Sequence, residues 1–207
     1  MKAPSGHSGW ASLPKHGRNY PYKASHGDVY YIAASPSFRS RACWLALHGE
    51  ARPMISVKLR NLRRQDKEAV TAMLGDSEVM RFLGPRRALA EDEADAWFEN
   101  ALANPTRFTV ANADTDEFIG FCGIKQIDGV PDFGYFIRPK FWGNGIAAKA
   151  CELAVERLSS EIDLSTVQVF IADDNLASQR VAQKLGWQAT HSGTKDGEYG
   201  RYYRITM

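Results

Sequence analysis

The sequence lacks the features that mark several protein classes. Only three of its 207 residues are cysteine and no two of them form a CxxC pair, so it contains neither a disulfide framework nor a zinc-ligand pattern and fits a reducing, cytoplasmic compartment. No run approaches the ~18–20 apolar residues of a membrane span. Two common phosphate loops are also absent, because there is no Gly-x4-Gly-Lys-Ser/Thr and no Gly-x-Gly-x-x-Gly that opens an N-terminal βαβ unit. With 44% hydrophobic residues, the chain can nevertheless fill a core.

Charge and composition divide the chain in two. Residues 1–53 carry seven lysines and arginines and two acidic residues, so their net charge is +5. Because the net charge of the whole chain is +2, the net charge of residues 54–207 is −3. The same segment holds five of nine prolines and four of five histidines, without a sustained period. We expect residues 1–53 to be a poorly ordered extension and 54–207 to be the folded domain; a native start at Met54 is an alternative hypothesis. The acidic domain gives no argument for a nucleic-acid partner.

From Met54 onward, hydrophobic periodicity predicts the order β-α-α-β-β-β-α-β-α-β-β. This order predicts an α/β (α+β mixed) fold in which helices lie on the faces of a mixed sheet. The predicted strands are 54–60, 107–111, 118–127, 132–137, 166–171, 187–191 and 202–207. The predicted helices are 64–74, 90–102, one that begins at residue 146, and 177–185, with a short helical turn at 78–83 and a turn-rich loop at 193–200.

The stretch from Tyr135 to Cys151, YFIRPKFWGNGIAAKAC, is the most informative one. A short apolar strand ends before Pro139, two glycines follow two residues apart, and a helical pattern then begins. A glycine turn at a helix N-terminus presents unpaired N–H groups and the positive end of the helix dipole, which suits a phosphate or pyrophosphate. The nearby cations are Arg138, Lys140 and Lys149. A tight connection without a ligand is the alternative interpretation.

Two motifs in this order resemble those of the GNAT superfamily of acetyl-CoA-dependent N-acetyltransferases, and within it the RimJ/RimL-type branch. The family's pyrophosphate motif is Gln/Arg-x-x-Gly-x-Gly/Ala, and residues 142–147 read WGNGIA, with Trp142 where Gln or Arg is usual. The second signature is Asn-x-x-Ser followed by Lys-Leu-Gly-aromatic. It is present in DDNLASQRVAQKLGW, which contains Asn175 and Ser178 and ends at Trp187. The resemblance covers about residues 54–207.

The resemblance implies a GNAT-type three-layer fold with about seven strands, helices on both faces and a splayed pair of central strands. It implies that the strand at Phe136 and Ile137 parts from residues 166–171 and leaves a wedge for the pantetheine arm of acetyl-CoA. The N–H group of Ile137 would polarise the thioester carbonyl, and Asn175 would lie beside the arm. The implied pyrophosphate-binding residues are Trp142, Gly143, Asn144, Gly145, Ile146 and Ala147.

The resemblance also suggests catalytic roles for two residues. Asp132, in a DFGY segment similar to the family's Glu-x-Gly-Tyr, would position a relay water that removes the proton of the amine. Many family members protonate the departing thiolate with a Tyr seven residues after the Asn, but that position is Ala182 here, which leaves Ser178 as the donor. In the alternative interpretation, Asp132 and Ser178 are cap residues of a strand and a helix. Tyr135 is nearby and is expected to be a core residue.

The predicted activity is therefore direct transfer of an acetyl group from acetyl-CoA to a primary amine of a small molecule or protein N-terminus, without a metal. The alternative is a non-catalytic or regulatory module that binds acyl-CoA. We expect a monomer or homodimer with no nucleic-acid or membrane partner. The region that lines the family's acceptor cleft contains charged runs, for which a solvated helix face is the alternative: Arg60–Arg64, Arg86–Arg87 and Glu91–Asp95.

Overall fold

The chain divides into two compact units, residues 1–53 and 54–207. A computed structural model describes Tyr20–Lys23, Val29–Ile32 and residues 55–206. In the first unit, β1 (Tyr20–Lys23) and β2 (Val29–Ile32) pair antiparallel, with Tyr20 opposite Ile32. The remaining residues up to 54, on which the expectation of a poorly ordered extension rests, lie outside the described residues.

The second unit follows the predicted order of elements, with five helices and seven strands among residues 55–206. The helices are α1 (Lys67–Leu74), α2 (Ser77–Met80), α3 (Glu91–Ala103), α4 (Ile146–Leu158) and α5 (Leu176–Lys184). The strands are β3 (Val57–Arg60), β4 (Phe108–Asn112), β5 (Phe118–Ile127), β6 (Val130–Ile137), β7 (Val169–Ala172), β8 (Gln188–Lys195) and β9 (Glu198–Arg204). None of these helices is long and apolar enough to cross a membrane.

The seven strands form two antiparallel sheets that meet along a short parallel contact. One sheet has the order β3-β4-β5-β6 and the other β7-β9-β8. They join where Asp132 of β6 bridges Gln168 in parallel. Two backbone hydrogen bonds fix this junction: Phe133 N donates to Gln168 O, and Gln168 N donates to Pro131 O, both at 2.8 Å. The predicted mixed fold with helices and about seven strands is confirmed.

Helices cover both faces of the four-stranded sheet, and β6 shows how the sequence achieves this. Its side chains alternate between the faces, so that Phe133, Tyr135 and Ile137 join one apolar cluster and Phe136 joins another. The first cluster includes residues of α4 and α5, such as Ala154 and Ala182, together with Trp187. The second contains residues of α1 to α3: Val70, Met73, Leu74, Val79, Met80, Ala94 and Phe98.

Two predicted segments near the C-terminus differ from the structure, one in where it begins and the other in its type. The strand predicted at 166–171 begins only at Val169, because Leu164–Thr166 forms a 3-10 turn whose Ser165 N–H donates to the Asp163 side chain at 2.9 Å. The turn-rich loop predicted at 193–200 is instead a hairpin whose turn is Asp196–Gly197. Both turn residues have positive φ, 51° and 80°, as the favoured two-residue hairpin turn requires.

Candidate active site

β6 and β7 form a wedge that opens away from their junction. The two strands are hydrogen-bonded where Gln168 lies between Pro131 and Phe133, and the paired register extends no further than Asp132 opposite Gln168. From there β6 continues along β5 to Ile137, opposite Gly120, while β7 pairs with β9. This is the splayed pair of central strands that the sequence predicted.

The backbone of β6 directs hydrogen-bond donors into this wedge. Arg138 N donates to Ile119 O of β5 at 2.9 Å, whereas Phe133 N donates to Gln168 O on the other side. Successive N–H groups of a strand alternate between its two sides, so the N–H groups of Tyr135 and Ile137 point away from β5, into the wedge. Ile137 therefore has its N–H where the sequence analysis expected it.

A glycine turn follows β6 and begins α4. Gly143 and Gly145 have φ of 77° and 71°, in the left-handed region where residues other than glycine are strained. The first helical return bond comes from Lys149 N to Gly145 O, at 3.2 Å, so the N–H groups of the first helical turn have no helical acceptor. Such a turn can bind an anion without any side chain.

Trp142 ties this turn to the end of β6. Its indole N–H donates to Ile137 O at 2.6 Å, and its backbone N–H donates to Pro139 O at 3.0 Å. Asn144 completes the turn by donating from Nδ2 to Phe141 O and Trp142 O, both at 3.1 Å. Of the six backbone N–H groups from 142 to 147, that of Trp142 thus already has an acceptor within the protein.

The cations near the turn differ from those expected. Arg138 and Lys140 both pair with Glu117, and Lys149 pairs with Glu152 at 3.1 Å. Lys184, at the end of α5, was missed. Its Nζ would lie 3.5 Å from a Cβ placed on Gly145, so α5 places an ammonium beside the helix N-terminus of α4. The only sequence signal for it is its position in the Lys-Leu-Gly part of the second motif.

The side chains of Asn175 and Ser178 lie at the start of α5. Asn175 caps the helix, since its Oδ1 accepts from Ser178 N at 3.1 Å. Across the wedge, the Tyr135 hydroxyl is buried without a hydrogen-bond partner in the described part of the chain. Burial raises the pKa of Tyr135, the nearby Cys151 thiol adds to the increase, and the Ser178 hydroxyl acts in the opposite direction. A phenol and an alcohol therefore lie together between β6 and α5.

Cys122 and Cys151 are core residues on this same face of the sheet. Both thiols are free and buried, with their Sγ atoms 3.9 Å apart. Burial raises the pKa of Cys151 well above its usual range, and Cys122 acts in the same direction. Neither the burial nor the protonation suits a nucleophile.

On the opposite face of β6, Asp132 forms an ion pair with Lys195 of β8, and the two side chains are only 14% and 22% exposed. The guanidinium of Arg107 covers Gly134, with Nη2 3.5 Å from the position that a Cβ of Gly134 would take. Its Nε is buried and has no hydrogen-bond partner in the described residues. No local sequence pattern indicates Arg107 or Lys195, because only the paired strands bring residues so distant in the chain to Asp132.

Most charged residues of the runs expected near the acceptor cleft form ion pairs, largely with residues outside those runs. Arg60 is buried and donates to both oxygens of Asp66, at 2.7 and 2.8 Å. The other pairs are Arg64–Glu99, Lys67–Asp95, Arg86–Glu198 and Arg87–Glu93. Among residues 55–206, no cluster of three or more His, Cys, Asp or Glu could hold a metal ion.

Known proteins share both the sequence pattern and this fold. The family model described as "Acetyltransferase (GNAT) domain" matches residues 56–188. YoaA of Bacillus subtilis (strain 168), an uncharacterized N-acetyltransferase, is 30% identical over 138 residues, which are 63% of this chain and 78% of the relative. The match spans the wedge, the glycine turn and α5.

Solved structures confirm the fold. A GNAT-family acetyltransferase from Bacillus anthracis superposes with a TM-score of 0.62 at 21% identity, over 72% of this chain and 94% of that one. A spermidine N-acetyltransferase from Vibrio cholerae, solved in complex with CoA and spermine, superposes with a TM-score of 0.55 at 20% identity. That superposition covers 72% of this chain and 92% of the Vibrio chain.

Proposed function

This chain belongs to the GNAT acetyltransferase family and is an acyltransferase; we propose that it moves an acetyl group from acetyl-CoA directly to a primary amine of a small molecule or protein N-terminus. The wedge between β6 and β7 carries this proposal. One end of the wedge is hydrogen-bonded shut, the N–H of Ile137 points into the open end, and a glycine turn with free helix N–H groups follows directly. A thioester and a pyrophosphate need these two kinds of donor.

In the proposed complex, backbone N–H groups from Gly143 to Ala147 hold the pyrophosphate, with Lys184 as a supporting cation. The pantetheine arm lies in the wedge along Phe136 and Ile137, next to Asn175. Because the Trp142 N–H donates to Pro139 O, Trp142 contributes by positioning the turn through its bond to Ile137 O. The Vibrio cholerae relative of the same fold was solved in complex with CoA, which supports acetyl-CoA as the donor.

The proposed chemistry uses residues on both faces of β6. Asp132, through a water, accepts the proton that the attacking ammonium must lose. The N–H of Ile137 donates to the thioester oxygen and stabilises the negative charge that develops there. The new C–N bond replaces the C–S bond, a hydroxyl proton is given to the departing thiolate, and the second proton that the nitrogen loses restores the hydroxyl.

We propose Ser178 as the proton donor, with Tyr135 as the second candidate. The observation that favours Tyr135 is its buried hydroxyl, which has no acceptor in the described part of the chain. An ordinary phenol, with a pKa near ~10, is also closer to a thiol near ~8.5 than an aliphatic alcohol is. Burial raises the pKa of Tyr135, so the phenol is protonated at neutral pH, and the same shift reduces its advantage as an acid over the alcohol of Ser178.

Several finer assignments belong to the same proposal. The Trp-Gly pair at 142–143 and Ser178 favour the RimJ/RimL-type branch. We further propose residues 54–207 as the catalytic domain and 1–53 as an extension, a cytoplasmic location on the basis of the cysteine content, and a monomer or homodimer that binds no nucleic acid or metal.

Acetyl-CoA binding and CoA release, measured separately, test the proposal. The full chain is titrated with acetyl-CoA by calorimetry, and free CoA is then followed with a panel of amino acids, peptides, polyamines and aminoglycosides. We expect binding, and CoA release that depends on one amine class. Binding without release from any amine would instead indicate the non-catalytic acyl-CoA-binding module.

A further inference from the structure

Arg107 lies on the acceptor face of the sheet, opposite the face that α4 covers. The next residue, Phe108, faces α4, because the guanidinium carbon of Arg157 lies 4.9 Å from the centre of its ring. Arg107 immediately precedes β4 and lies on the other face, the one towards which Gly134 of β6 would direct a side chain. There its guanidinium covers Gly134, with Nη2 and Nε 3.5 and 3.8 Å from a Cβ placed on that glycine.

The guanidinium of Arg107 has no anionic partner in the part of the chain that the structure describes. Its Nε is buried and unbonded among the described residues, and no hydrogen bond or salt bridge joins its side chain to any of them. Burial lowers the pKa of Arg107, while the charge of Asp132 and the Cys122 thiol act to raise it. Asp132 is itself engaged by Lys195. The Arg107 side chain is partly buried, and a cation that loses water without gaining a partner is destabilising.

The charges around Gly134 therefore do not balance. Arg107 and Lys195 carry two positive charges against the single carboxylate of Asp132, which leaves this cluster at +1. An amine that carried a second positive charge would raise that excess, whereas one that carried an anion would cancel it. The planar fork of an arginine matches a carboxylate with two parallel N–H donors.

Next to the cluster, aromatic side chains cover the same face. Phe136 follows Gly134 by two residues and so lies on the same side of β6. Its ring and that of Trp97 are both half-buried and lie edge to face, with centroids 6.3 Å apart. They provide an apolar surface between Gly134 and Ile137, a span of roughly 10 Å along the strand.

On this basis, and resting on the proposed function, we propose that Arg107 binds a carboxylate of the acceptor, so that the substrate is an amino acid-like molecule with an amine at one end and an acid group several bonds away. The amine would face the thioester near Ile137, the apolar stem would cross Phe136, and the acid group would reach Gly134. In this pose the proton of the amine would reach Asp132 through a chain of waters and not through a single one. This separates the chain from relatives whose acceptor is a polyamine.

Three acceptors of equal length test the proposal: 5-aminopentanoate, 5-aminopentanamide and cadaverine. They share the amine and differ only in an acidic, neutral or basic end. We expect kcat/KM to be highest for 5-aminopentanoate. Arg107→Gln should raise KM for this acceptor about 10- to 100-fold and leave the amide unchanged, and Arg107→Lys should recover part of the loss.

Arg157→Gln is the matched control, since Arg157 is exposed and lies on the other face against Phe108; it should retain the preference. Equal or better use of cadaverine by the wild type would overturn the proposal, as would an Arg107→Gln effect of equal size on all three acceptors. Calorimetric binding of 5-aminopentanoate to the CoA-saturated protein provides a readout without turnover. If no amine releases CoA, the proposed function fails, yet loss of this binding in Arg107→Gln would still support the carboxylate site.

Discussion

Gly145→Glu is the most direct test of the pyrophosphate site. Gly145 precedes α4 with φ of 71°, and a Cβ at this position would lie 3.5 Å from Lys184 Nζ. A glutamate there adds a carboxylate at the mouth of the helix N-terminus and can pair with the ammonium of Lys184. The substitution thus adds an anion and neutralises a cation where the proposed ligand is most negative.

The two costs of this change can be estimated separately. A residue other than glycine in the left-handed region loses about 1–2 kcal/mol of stability, which lowers Tm by roughly 2–8 °C for a chain of this size. A carboxylate about 4 Å from a phosphate oxygen adds repulsion of about 4 kcal/mol at an effective dielectric constant near ~20. That energy corresponds to an increase in Kd for CoA of about a thousandfold.

Gly129→Glu separates strain from repulsion. Gly129 forms the turn between β5 and β6, has φ of 80°, and a Cβ there would meet nothing within 4 Å. Both variants should therefore lose similar Tm by differential scanning fluorimetry, but only Gly145→Glu should lose CoA affinity by calorimetry. If both folded variants bound CoA with Kd values within threefold of each other, the turn before α4 would not be the pyrophosphate site.

Three further predictions concern the faces of β6. Cys151, whose pKa burial raises, should resist alkylation at pH 8 in the native protein, as peptide mapping by mass spectrometry would show; labelling at the rate of a free thiol would contradict its burial. Asp132→Asn should lower kcat/KM about 10²- to 10⁴-fold and alter its pH profile; an unchanged profile would remove Asp132 as base. Tyr135→Phe and Ser178→Ala should lower kcat to different extents with CoA affinity unchanged, and the larger loss identifies the proton donor. Wild-type activity in both variants would exclude both residues as the donor.

Local sequence patterns predicted the donor side well. The strand that ends before Pro139, the two glycines and the helix from Ile146 to Leu158 all rest on residues close in the chain, and the structure places them as expected. Asn175 likewise caps the helix that its position predicted. The separation of β6 from β7 was predicted from the family resemblance, because no local sequence pattern indicates which neighbouring strands lose their pairing.

The acceptor side could not be predicted in the same way. Arg107 reaches Gly134 because β4 and β6 both pair with β5, with Phe108 opposite Cys122 and Gly123 opposite Gly134. Lys195 reaches Asp132 because residues 193–200 form a hairpin, where the glycines at 193, 197 and 200 suggested a loop. Asp196–Gly197 is an Asp-Gly pair, which favours a two-residue hairpin turn. The high glycine content of the segment favours a loop instead, and the pairing of the two strands decides between them.

The strand β6 links the two halves of the proposed reaction through its geometry alone. Its odd-numbered side chains from 133 to 137 join the core under α4 and α5, on the proposed side of CoA. Phe136 joins the opposite cluster, and Asp132 lies on that same side by alternation, which is the proposed acceptor face. Its edge towards β7 contributes the N–H of Ile137, between the two faces. Because this donor belongs to the backbone, truncating the Ile137 side chain would remove packing and leave the hydrogen bond. Gly120 faces Ile137 so closely that a Cβ there would lie 2.2 Å from Phe136 O. A larger residue at position 120 would therefore push β6 away and displace the N–H of Ile137.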